Sequence, residues 1–255
     1  MADSSAEQPE ALVPVPARGR IYSASRSVRL GDADAGGRLR FDALARYLQD
    51  VSNDDTRDSG FDDPMSWVVR RTVVDVIRPG DVFDVLTLRT FCGGTGQRWA
   101  ERRVSVTGAA GASIEAATLW VHVDLDTMTP KRLTPEFMAL FGESAGGRTV
   151  RARLLHPAPP SGATRQPWPL RATDYDLLDH VNNAIYWAPV EEVLANRPDL
   201  RGSPLRAEVE FPAPIDRGGA VELVVDQRPD GFGAWLVSAT TPGLVHSSAV
   251  IRRRG

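Results

Sequence analysis

Two stretches, "RLGDADAGGRLRFDALARYLQDV" at residues 29–51 and "RATDYDLLDHVNNAIYWAPVEEV" at residues 171–193, align without a gap at a constant offset of 142. Asp32 meets Asp174, Asp34 meets Asp176, Leu44 meets Tyr186, Leu48 meets Val190 and Asp50 meets Glu192. A shared architecture repeated within one chain is the simplest explanation. In the first copy Leu44, Tyr47, Leu48 and Val51 fall on one helical face, and in the second Tyr186, Val190, Val193 and Leu194 do the same. Each copy therefore reads as a polar loop leading into an amphipathic helix. Pro189 forfeits a backbone hydrogen bond in the second helix, which predicts a kink or a late start there.

Working outward, each helix is followed by about four segments rich in β-branched and aromatic residues and broken by Gly or Pro. The first half carries "WVVRRTVVDVI", "DVFDVLTLRTF", "QRWAERRVSV" and "SIEAATLWVHVDL"; the second carries "RAEVEFPAPI", "AVELVVDQ", "GAWLVSAT" and "LVHSSAVIRRR". One helix and about four strands, twice, predicts an α+β chain of two units, each with a helix against an antiparallel sheet. The expected division is a flexible tail over residues 1–20, a first repeat over 21–142, a Gly/Pro/Ser-rich linker over 143–168 and a second repeat over 169–255.

Composition narrows the function. The chain has 255 residues, 42% of them hydrophobic, and a formal charge of -3, so neither nucleic acid nor an anionic membrane is favoured as a partner. Of the 30 basic residues only Lys131 is lysine, and arginine pairs such as Arg70-Arg71 and Arg102-Arg103 form local anion patches. The single cysteine, Cys92, excludes a disulfide framework or a thiolate cluster for zinc and fits a reducing cytoplasm. The first twenty residues are acidic and Pro-rich without a long apolar run, which reads as neither signal peptide nor anchor.

The densest chemistry lies in residues 174–186. The string D-x-D-x-x-x-H-V-N-N-x-x-Y, formed by Asp174, Asp176, His180, Val181, Asn182, Asn183 and Tyr186, resembles the loop-to-helix signature of hotdog-fold thioesterases. With "ALARYLQDVSNDDTRDSGF" and "ATLWVHVDLDTMTPKRL" in the first half, the chain over residues 20–255 is similar to the acyl-ACP thioesterases, tandem double-hotdog enzymes. The resemblance implies two repeats, each wrapping its sheet around one long helix, packed as an intramolecular pseudo-dimer that is monomeric or dimerises further. It implies an acyl chain in a tunnel between helix and sheet, for which Leu44, Leu48, Tyr186, Trp187 and Val190 are candidates. Acyl carrier protein, or acyl-CoA, is the implied partner, with no cofactor and no metal.

The family's catalytic pattern, D-x-N-x-H plus a Glu on a later strand, maps to Asp176, His180 and Glu210, with Glu208 as the other choice. Leu178 stands where the family has Asn, and leucine neither orients nor polarises anything. The chemistry suits these residue types. A helix start offers backbone N–H groups without intrahelical partners, and Asn182 and Asn183 sit where a developing oxyanion needs such donors. Asp176 is placed to act as nucleophile or general base, and His180 to hold it or to donate to the carbonyl. Read without the resemblance, an Asp/Asn-rich loop before a helix is equally a cap with an Asx-turn.

The first copy keeps Asp34 but has Arg38 in place of the histidine, and "GDADAGG" resembles the loop of single-hotdog acyl-CoA thioesterases that use an aspartate. A second site at Asp34 is the minor expectation; the major one is that the first half shapes the tunnel. Cys92 reads as a packed thiol, and His122, Asp124 and Asp126 as the face of a closing strand before a metal set. His156 falls in the linker and His246 in the last strand, each explained by packing or solvent.

Overall fold

A computed structural model describes residues 12–61 and 66–254. Its frame is one ten-stranded antiparallel sheet, and the strand order shows the duplication directly. The first repeat contributes β1 (Tyr22–Ser27), β2 (Trp67–Arg78), β3 (Val85–Thr95), β4 (Trp99–Gly108) and β5 (Ser113–His122) in the order 1-3-4-5-2. The second contributes β6 (Thr164–Trp168), β7 (Leu205–Glu210), β8 (Val221–Arg228), β9 (Gly231–Ser238) and β10 (Val245–Arg253) in the mirrored order 7-10-9-8-6. The halves join where β2 pairs with β7, from Arg71 opposite Glu210 to Val76 opposite Leu205. Asp75 and Arg206 face each other across that seam, both buried, and bond through two 2.6 Å contacts.

Helix α1 (Phe41–Ser59) crosses the concave face, and its burial follows the heptad-like spacing read above. Phe41, Leu44, Leu48 and Val51 pack with Leu86, Leu88, Val104 and Ile114 of the first half of the sheet in one core that also contains Trp187, Val190 and Leu194. Each such side chain taken from water contributes about 2 kcal/mol. The helix stops at Gly60, whose φ of 72° is left-handed and whose N–H donates to the Arg57 carbonyl. Helix α2 (Pro135–Ala145) starts at Thr134, whose hydroxyl accepts from the Phe137 amide at 3.1 Å, and lays Phe137 and Phe141 against Phe61 at the far end of α1.

The structure departs from the sequence expectations in three places. The second helix is short: a 3-10 turn at Ile185–Trp187 precedes α3 (Ala188–Ala195), and Pro189 sits in its first turn, where its missing N–H costs nothing. A further turn of helix, α4 (Pro198–Arg201), follows. Next, the stretch read as linker contains β6, which pairs with β8 from Thr164 opposite Val225 to Trp168 opposite Val221. Pro167 is tolerated because β6 is the edge strand. Lastly, the expected tail reaches less far than residue 20. Arg20 bonds Asp55 at 2.7 Å, and Gly19, at a φ of 85°, lies so close to the Ser144 backbone that a Cβ would collide with it. Residues 1–11 of that tail lie outside the described residues.

Candidate active site

The two polar loops fold alike, bond for bond. In the first, the Asp34 amide donates to the Arg38 carbonyl, the Gly37 amide to Asp34 and the Arg40 amide to Asp32. In the second, 142 residues on, Asp176 donates to His180, Asp179 to Asp176 and Asn182 to Asp174. The Asp34 carboxylate accepts from the Gly36 amide at 2.8 Å, and Asp176 accepts from the Leu178 amide at 2.9 Å. Each carboxylate is thus aimed by its own loop, an Asx-turn that fixes its direction. Leu178 supplies its amide to this turn while its side chain points outward, 51% exposed. Asp179, at a left-handed φ of 62°, stands where Gly37 takes 87° in the first copy.

His180 lies in the same loop, half-buried, with Nε2 3.3 Å from Asp216, an acid on the segment before β8. The two residues also form a backbone bridge. Tyr186 follows one turn later, its hydroxyl accepting from the Ile215 amide at 3.1 Å. Burial, together with the charges of Asp216 and Asp176, raises its phenol above the usual range, so both acids lie within electrostatic reach of the helix start.

What differs between the copies is how the helix start is used. In the first repeat Glu191, reaching over from α3, places one oxygen 2.5 Å from the Phe41 amide and the other 2.5 Å from Arg38. Burial pushes the Glu191 carboxyl up, against the pull of Arg38 and the amide. Asp34 is also spent: it bonds Arg38 at 3.1 Å and Arg201 of α4 at 2.5 Å. Phe41 and Trp187 stack at 5.5 Å and fill the space beside it. This half is a closed, ion-paired junction between repeats, and its donors are already occupied.

In the second repeat the Asn182 amide goes to Asp174, the Asn182 side-chain oxygen caps the Ala184 amide at 2.9 Å, and the Ile185 amide goes to Asn182. The Asn183 amide makes no hydrogen bond among the described residues. Asn183 borders a small cavity walled by Ala45, Leu48, Gln49, Trp120, Trp187 and Phe211 among others. The cavity exists because Ala45 stands where its counterpart in the other half, Trp187, fills the space. A second, larger cavity is walled by Phe61, Cys92, Phe137 and Phe141 among others. Trp120 lines both, and Asn53, Glu101 and Arg102 give the second a polar side. Cys92 in its wall is a packed thiol whose pKa burial pushes up to about 11.

The expected site residues therefore separate. Asp176, His180, Asn182 and Asn183 share one loop and helix start; Leu48 and Trp187 line the cavity, whereas Leu44, Tyr186 and Val190 are packed core. Glu210 is elsewhere. Strand alternation turns Ala207, Val209 and then Phe211 to the helix face, and Glu210 to the opposite one, where it is 1% exposed. There it accepts the Leu155 and His156 amides at 2.6 and 3.1 Å, tying the segment after α2 across the outer face of the sheet. His156, whose imidazole burial holds below its usual range against the pull of Glu210, bonds Ser248 beside it. Glu208 pairs with Arg252 at 2.8 Å. Sequence reasoning missed Asp216, Trp120 and Gln49; for Gln49 the signal was present, since the 142 offset makes it the counterpart of Glu191.

Comparison with known proteins agrees with this architecture. Residues 19–141 match the acyl-ACP thioesterase N-terminal domain and residues 158–249 the C-terminal domain. A Mycobacterium tuberculosis protein described as uncharacterized is 36% identical over 244 residues, covering 95% of this chain and 96% of its own. Among solved structures, the 12:0-ACP thioesterase from Umbellularia californica superposes with a TM-score of 0.75 at 18% identity, covering 92% of this chain and 97% of that one. An acyl-ACP thioesterase from Bacteroides thetaiotaomicron does so with a TM-score of 0.72 at 16% identity over 91% and 97%. The chain belongs to the acyl-ACP thioesterase family and has its tandem hotdog fold.

Proposed function

We propose that the protein hydrolyses fatty acyl thioesters of acyl carrier protein and releases the free acid in fatty-acid synthesis. The observation that carries this reading is the pairing of one unoccupied amide, that of Asn183, with a mostly apolar cavity that the same residue borders between the two helices. The thioester carbonyl oxygen would accept from that amide, a fixed donor worth roughly 3 kcal/mol once charge develops. Asp176 takes the proton of an attacking water, whose oxygen adds to the carbonyl carbon. His180, oriented by Asp216, gives a proton to the departing thiolate as the carbon–sulfur bond breaks. The acyl tail runs along Leu48 and Trp187 toward Trp120.

Carrier protein over coenzyme A is favoured by family membership and by exposed Arg171 and Arg217 around the loop, which suit an acidic carrier. The test is to measure kcat/KM for one acyl chain on both carriers. The reading expects the carrier-protein thioester to be preferred, and preference for acyl-CoA would replace it with a CoA thioesterase of the same fold. A second reading, acyl binding without turnover, draws on Leu178 in place of the family Asn and on Glu210 facing away from the helix. It expects tight binding of acyl thioesters and no release of acid from any of them.

A further inference from the structure

The comparison of the two helix starts identifies a residue outside the family motif. In the first half the Phe41 amide is occupied by a carboxylate of Glu191 at 2.5 Å, an internal oxygen held where a substrate oxygen would sit. The 142 offset carries Phe41 to Asn183 and Gln49 to Glu191, and the fold is pseudo-symmetric, so Gln49 stands toward Asn183 as Glu191 stands toward Phe41. The cavity agrees: Gln49 and Asn183 border the same space. Gln49 is half-buried and its side chain makes no hydrogen bond among the described residues, an idle amide bordering the same cavity as Ala45 and Leu48 on α1. A carboxylate here would cap the Asn183 amide and close the site, as Glu191 closes the other. A neutral amide cannot cap it as an anion does, but its N–H₂ can donate to the oxygen that the Asn183 amide binds.

We propose that Gln49 is a catalytic residue of the second half-site, its side-chain N–H₂ supplying, with the Asn183 amide, the second donor to the thioester carbonyl oxygen. This rests on the thioester-hydrolase reading above. It also accounts for the asymmetry of the pseudo-dimer. The same helix position carries an acid where the repeats are locked together and an amide where the substrate enters.

The test uses the full-length protein, wild type beside Gln49→Ala and Gln49→Glu. With an acyl-ACP substrate, Gln49→Ala lowers kcat roughly 10²-fold while KM changes less than about threefold, because the donor acts mainly on the developing oxyanion. Gln49→Glu abolishes turnover. In ¹⁵N-labelled protein without substrate, the Asn183 amide proton moves downfield in Gln49→Glu relative to wild type, as a hydrogen bond to an anionic oxygen requires. An unmoved Asn183 resonance overturns the placement whatever the activity. Wild-type kcat in both variants, against an active parent, overturns the role of Gln49 alone. A parent that hydrolyses no acyl thioester removes the hydrolase reading and the catalytic role with it.

Discussion

Replacing Trp120 with alanine tests whether the two cavities form one acyl channel. Trp120 borders both and is half-buried, so its indole is the partition between the space at Asn183 and the larger space under α2. Removing it lets a chain longer by about four methylenes pass from one space into the other. Each methylene that leaves water contributes about 0.8 kcal/mol, close to fourfold in kcat/KM, so four amount to a change on the order of 10². The substitution also loosens packing by about 3 kcal/mol, roughly 6–12 °C in midpoint for a chain of this size, and folding of the variant is checked at assay temperature. The assay is kcat/KM over a series of saturated acyl-ACP chain lengths, for wild type and Trp120→Ala. The ratio between the chain four carbons beyond the wild-type optimum and that optimum rises by one to two orders of magnitude. A folded variant with the wild-type length profile refutes the single-channel account.

Asp55, buried beneath Arg20 and Arg102, ties the N-terminal segment and β4 to α1. Asp55→Ala lowers stability by about 3 kcal/mol, roughly 10 °C by calorimetry, because the arginines lose their buried acceptor. The pH dependence has a definite sign. Burial alone would raise the Asp34 and Asp42 carboxyls, but Arg201 and Arg38 on the first, and Arg40 and Arg46 on the second, outweigh it and hold both below the usual range. Their contribution is complete above the unfolded carboxylate value and is lost as pH falls through the lowered folded values, so Asp34→Asn makes the acid limb of denaturation shallower. Glu210→Gln weakens the hold on the Leu155 and His156 amides, costs about 1–3 kcal/mol in denaturant titration, and leaves kcat within about threefold of wild type.

The duplication was legible because it is written in side-chain periods: Leu44, Tyr47, Leu48 and Val51 mark a helix face, and the constant offset carries the loop before it into the second half. The loop's own hydrogen bonds were legible for the same reason, since Asx-turns and helix starts depend on neighbours in sequence. Glu210 was misplaced because a strand's phase decides everything. Val209 and Glu210 are adjacent in the chain and lie on opposite faces of the sheet, and the sequence "RAEVEF" alternates without saying which face holds the helix. β6 was hidden by composition, because an edge strand with Pro167 has few of the residues that mark a central one. The occupied amide at Phe41 depends on Glu191, 150 residues away, and no local pattern reports such a partner.

The central claim is that the loop ahead of Asn183 supplies the base for thioester hydrolysis. It is tested most directly by single-turnover hydrolysis of a long-chain acyl-ACP by wild type and Asp176→Asn, with folding checked by circular dichroism. The account predicts stoichiometric release of free acid by wild type and a rate lower by 10² or more, as an order of magnitude, in the variant. Equal rates in the two proteins, or no acid from wild type, would contradict it.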